Sequence, residues 1–96
     1  MGKSSRKHKD LQWVIYVLRC NDNSLYCGIT TDLTRRVSEH NAGTRGAKYT
    51  RSRRPVHLVA SWPCLTKGDA LRAEDAFKRK SKAEKEEIIS RETCVK

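Results

Sequence analysis

Ninety-six residues, 36% hydrophobic and 33% charged, make one small domain with a thin core and leave no room for a second. The net charge of +10 is concentrated in residues 1–55, where twelve Lys/Arg oppose four Asp/Glu, a balance that points to a polyanionic partner. No apolar run approaches the roughly 18 residues of a membrane span, and four cysteines without a CxxC pair or a secretory segment argue against a zinc site and for a reduced, cytoplasmic protein.

Residues 1–10 (MGKSSRKHKD) are polar and aperiodic and read as a disordered basic arm, followed by a folded domain over 11–90 and a frayed tail over 91–96. Trp13 to Arg19 is β-branched and aromatic, Asn21, Asp22 and Asn23 are turn formers, and Leu25 to Thr30 is extended again. That pattern predicts a β-hairpin. A three-residue loop at 21–23 sets Leu18 opposite Tyr26 and Tyr16 opposite Gly28, so both tyrosines share one face of the sheet. Gly28 leaves space there for a backbone or a phosphate to approach. Cys27, in mid-strand, reads as a small buried hydrophobe.

Thr31 is placed to cap a helix running from Asp32 to about Asn41, with Gly43 beyond its end. Arg36 and His40, four apart, share one face of it beside the Leu33/Val37 stripe. Residues 42–54 form a basic, glycine-bearing loop, long for a compact domain, with Tyr49 its only aromatic. Between Arg35 and Arg54 the cations Arg35, Arg36, Arg45, Lys48, Arg51, Arg53 and Arg54 are opposed by Glu39 alone. Pro55 opens a third strand, Val56 to Trp62, which Pro63 closes.

Thr66 to Asp69 resembles a capping box and starts a helix reaching about Lys80, with an inner stripe of Ala70, Leu71, Ala73 and Phe77. Glu74 falls within that stripe, where a carboxylate needs a cation. Ser81 with Glu84 caps a last helix, Lys82 to Ser90. The expected class is α/β in the α+β sense: a small three-stranded antiparallel sheet flanked by helices.

Hydrolysis of a phosphodiester needs a base for water, a cation at the scissile phosphate and a metal for the charge on the leaving oxygen. The chain carries VIY at 14–16, YCG at 26–28, Arg36 and His40 at fixed distances beyond Gly28, and a helix with Ala70-Leu71-Arg72-Ala73-Glu74. Over about Trp13 to Lys80 this spaced set resembles the GIY-YIG endonuclease superfamily, and the short chain is similar to its small stand-alone bacterial members. Val14 stands where the motif has its first Gly, and Cys27 where it has Ile.

The resemblance implies a DNA endonuclease using one divalent ion, Mg²⁺ or Mn²⁺. Tyr16 and Tyr26 would flank the attacking water, Arg36 would clamp the phosphate, His40 would support a tyrosine or relay its proton, and Glu74 would hold the metal. Gly28, Arg35, Arg45, Lys48, Tyr49, Arg51, Arg53 and Arg54 would meet the nucleic acid, with branched or damaged DNA and a repair or recombination setting expected. The residues also fit blander readings: core tyrosines, a surface Arg36, a His40 favoured by the helix dipole, and a Glu74 ion-paired with Arg36 or another cation. Two other functions fit the whole: a non-catalytic nucleic-acid-binding module that kept the fold, and an RNA-associated protein using the same basic loop.

Overall fold

The structure, a computed structural model, describes residues 12–94. The expected basic arm lies outside the described residues. Strands β1 (Trp13–Arg19), β2 (Leu25–Thr30) and β3 (His57–Cys64) form an antiparallel sheet in the order β2-β1-β3. Helices α1 (Leu33–Asn41) and α2 (Lys48–Arg51) lie between β2 and β3 in sequence, and α3 (Lys67–Lys78) and α4 (Lys82–Cys94) follow.

The hairpin has the expected register, with Tyr16 paired to Gly28 and Leu18 to Tyr26. Cys20 N–H donates to Ser24 O at 2.8 Å, and Asn23 takes φ +72°, a left-handed value that asparagine tolerates. This register sorts the side chains onto two faces. Ile15, Val17 and Cys27 pack with Phe77 and Ile89 of α3 and α4, while Tyr16, Leu18 and Tyr26 pack with Leu33 and Val37 of α1. The sheet is therefore a middle layer, and the two halves of any site must meet around its edge.

Several boundaries differ from expectation, each for a local reason. Asp32, rather than Thr31, caps α1: its carboxylate accepts from Arg35 N at 3.2 Å, and a charged acceptor at a helix amino end is the stronger cap. The basic loop contains a helical turn, α2, because Ala47 O accepts from both Thr50 N and Arg51 N. Strand β3 runs through Pro63 to Cys64, since an edge strand can place a proline's missing N–H on its open side.

The start of α3 is capped from one direction, Thr66 Oγ1 accepting from Asp69 N, while the Asp69 carboxylate pairs with Arg72. Leu71 is exposed on α3 and leaves the stripe to Ala70, Ala73 and Phe77. The Ser81/Glu84 box forms in both directions, and α4 continues past Ser90 to Cys94. A bidentate ion pair from Arg19 to Glu86, at 2.6 and 2.7 Å, fastens that helix to the central strand.

Candidate active site

The two tyrosines enter the site from paired strands and His40 from α1. Tyr16 and Tyr26 have ring centroids 6.4 Å apart, and His40 lies 5.7 Å from the first and 5.1 Å from the second. His40 is wholly buried and Tyr16 nearly so, whereas Tyr26 keeps partial exposure. Tyr16 Oη lies 2.8 Å from His40 Nε2, and His40 Nδ1 lies 2.8 Å from Thr50 Oγ1.

The direction of this chain of hydrogen bonds follows from its far end. Thr50 Oγ1 donates its only proton to Ala47 O at 2.9 Å, so toward His40 it can only accept. Nδ1 then carries the imidazole proton and Nε2 is left as an acceptor for the Tyr16 hydroxyl. The Ala47 N–H also reaches Nδ1, at 3.5 Å, a longer contact than the one from Nδ1 to Thr50. Burial pushes His40 down to about 4, with the Arg36 charge adding to the effect, so the imidazole is neutral at pH 7. Burial likewise pushes the Tyr16 phenol up to about 12, against an opposing pull from Arg36.

Arg36 is half-buried, and its Nη1 donates to Glu39 Oε1 and to Arg45 O, each at 2.9 Å. These contacts hold the guanidinium at the mouth of the tyrosine pair, where its charge acts on Tyr16. The returning loop is pressed close: a Cβ at Gly46 would stand 2.7 Å from Glu39 O and 2.8 Å from His40 Cα. Only glycine lets the loop lie on the end of α1 and present Thr50 beneath His40. Thr50 was invisible to sequence reasoning. Its single cue is a small polar residue among cations, and only the fold gives that cue meaning.

Gly28 corrects the expectation of open space. A Cβ there would meet Tyr16 Oη at 2.6 Å and Cζ at 2.8 Å, so the Tyr16 ring itself fills the gap. The glycine serves the tyrosine's placement. Two of the expected phosphate contacts are engaged within the chain, Arg54 inward and Arg53 at the surface. Arg54 donates to His40 O at 2.7 Å and Gly43 O at 2.8 Å, satisfying carbonyls at the end of α1. Arg53 donates to Asp22 and to Tyr49 O, and its guanidinium lies 3.8 Å over the Tyr49 ring. Arg45, Lys48 and Arg51 stand exposed, and Arg35 is exposed between Asp32 and Glu39. Tyr49 stacks on Tyr26 with centroids 6.0 Å apart.

Glu74 approaches from the opposite face of the sheet. Its helix packs under β1 and β2, its charge is felt by the Cys27 thiol beside Tyr26, and its carboxylate pairs with Lys78 at 3.2 Å. The cation it needs is thus Lys78, and Arg36 has Glu39 instead. Lys78 lines a cleft at the β2 edge together with Tyr26 and Tyr49, which joins the acid's surroundings to the aromatic group. Among the described residues no group of three or more His, Cys, Asp or Glu could hold a metal. A single hard carboxylate still suits Mg²⁺, which keeps most of its ligands as water and substrate phosphate oxygens. No helix among the described residues is long and apolar enough to cross a membrane.

Comparison with known proteins places the chain in a family. The family model described as the GIY-YIG catalytic domain matches residues 12–87. The UPF0213 protein of Desulfotalea psychrophila is 44% identical over 77 residues, covering 80% of this chain and 70% of that one. The UPF0213 protein of Listeria welshimeri is 53% identical over 78 residues, covering 80% and 86%. The solution NMR structure of a UPF0213 protein from Bacillus halodurans is similar with a TM-score of 0.54 and 44% identity, covering 82% of this chain and 83% of that one.

Proposed function

Because the chain belongs to the GIY-YIG family, we propose that it is a metal-dependent DNA endonuclease that hydrolyses phosphodiester bonds in branched, flapped or damaged DNA. The observation that carries the reading is the buried hydrogen-bond chain from Tyr16 through His40 to Thr50. A phenol with its proton far from release at pH 7 is a poor base alone. Paired with a neutral imidazole whose open nitrogen faces it, the phenol can take a proton from water as it passes its own to Nε2.

In this mechanism the Tyr16 oxygen receives the water proton, His40 holds the relayed proton, and Thr50 fixes the imidazole's tautomer. Tyr26, more exposed and beside both, orients the attacking water. Binding of a phosphate brings negative charge next to His40, which raises its basicity when the proton must move. Arg36 lies at the mouth of this group, and its planar fork suits the scissile phosphate. Glu74 would hold Mg²⁺ or Mn²⁺, which when bound neutralises charge on the leaving oxygen. Arg45, Lys48 and Arg51 supply phosphate contacts along the strand.

The test is a panel of end-labelled flaps, forks, junctions, duplexes and single strands incubated with Mg²⁺ or Mn²⁺ and scored for nicks. Nicks with wild type that vanish with Glu74→Ala support the endonuclease. Binding with a steep salt dependence but no nick on any substrate makes the chain a nucleic-acid-binding module instead.

A further inference from the structure

Resting on the endonuclease reading, we propose that the cleft at the open edge of β2 is a binding site for one unpaired nucleotide of the DNA strand being cut. The cleft holds about 270 Å³ and has Tyr26, Tyr49, Phe77, Lys78 and Lys85 among its lining residues; Phe77 is nearly buried, which leaves the two tyrosines as the aromatic wall. That volume lies at the lower end of small-ligand sites, on the order of 300 Å³, and suits a single base while excluding a stacked pair. Aromatic rings beside cations are the combination that holds single-stranded nucleic acid, the base on the rings and the phosphate on the charges.

Position links the cleft to the chemistry. Tyr26 belongs to both, lying in the cleft wall and 5.1 Å from His40. Lys78 bridges the other way, to Glu74 at 3.2 Å, and Lys85 stands 5.8 Å from the centre of the Phe77 ring. Helix α2 lies on the His40 side of the sheet, through Thr50, and α3 and α4 lie on the other, through Phe77 and Ile89. A strand that contacts Lys48 and then Lys78 must therefore bend around β2, past Tyr26. A base turned into the cleft has left its partner, so the site favours substrates already unpaired at that nucleotide: flaps, bulges, junction arms and single strands.

Binding of metal-free, full-length protein to labelled single-stranded oligothymidylate, followed by anisotropy between about 50 and 200 mM salt, reads the cleft without any cleavage. The double variant Lys78→Gln/Lys85→Gln is expected to flatten the slope of log affinity against log salt by about 1.4, the loss of two phosphate contacts on a single strand. An abasic strand of the same length is expected to bind wild type about tenfold more weakly, as for loss of one stacked base. The control Lys67→Gln/Arg72→Gln, at cations outside the cleft, keeps the base preference. Equal binding of abasic and base-bearing strands, or an unchanged slope in the Lys78/Lys85 variant, overturns the proposal. A nicking assay on paired duplex and on the same duplex with one unpaired nucleotide separates the two readings. Nicking that ignores the unpaired nucleotide removes the cleft's role and leaves the endonuclease standing, whereas absence of all nicking removes the endonuclease and leaves the binding result to judge the cleft.

Discussion

The hydroxyl of Tyr16 lies 2.8 Å from Nε2 of His40, a residue 24 positions away, and both are buried. The bond joins a strand to a helix and couples two groups that burial holds away from neutrality, the pair that relays the proton in the proposed mechanism. Tyr16→Phe removes the proton acceptor and is expected to lower the nicking rate by a factor of about 10² to 10⁴, the usual worth of a general base. DNA affinity measured without metal should stay within about twofold, since no phosphate contact is lost. A Phe variant that nicks at the wild-type rate would move the base to Tyr26.

His40 should also make stability depend on pH. Its value falls from an ordinary 6.5 to about 4 on folding, so the unfolded chain binds the extra proton first as pH drops. The stabilisation is complete above about 6.5 and is lost as pH falls toward 4, on the order of 3 kcal/mol in all. Denaturant unfolding at several values in that window checks it. In His40→Gln the slope should flatten, and a variant with the same slope as wild type would assign it elsewhere.

Gly28→Ala tests the packing under the phenol. The new methyl would stand 2.6 Å from an oxygen that is buried and held by His40, so the ring cannot swing into solvent. We expect a loss of about 1 to 3 kcal/mol, as for overpacking, together with a loss of nicking because Tyr16 is displaced. Thermal melting and the nick assay read the two effects separately.

Two arginines that look alike in sequence should behave in opposite ways. Arg36→Ala is expected to slow nicking by about 10² to 10³ with a small change in melting, as when one donor to developing charge is lost. Arg54→Ala removes the donor to the part-buried His40 carbonyl and should cost stability, about 1 kcal/mol, while the salt slope of DNA binding stays unchanged. Matching effects of the two changes on nicking would erase the distinction.

Glu74→Ala should abolish nicking yet leave metal-free DNA binding intact or slightly tighter, since it frees Lys78 from its ion pair. Titration of Mg²⁺ against wild type and variant, with nicking as readout, checks the assignment. Restored nicking at high Mg²⁺ would reduce Glu74 to a weak ligand, and nicking unaffected at all concentrations would dismiss it.

Local chemistry in the chain was enough to determine the hairpin and its register, the helix carrying Arg36 and His40, and the sharing of one sheet face by Tyr16 and Tyr26. Alternation with period two, a loop of turn formers and a spacing of four are properties of neighbouring residues and need no fold to be read. What the tertiary structure alone decided is the polarity of the site. The burial that neutralises His40, the Thr50 hydroxyl that sets its tautomer, and the ring of Tyr16 over Gly28 all depend on segments brought together from different elements. The fate of the cations was hidden for the same reason. Arg54 turns inward onto the carbonyls of His40 and Gly43 while Lys48 stays exposed, and sequence does not record which cation meets those carbonyls.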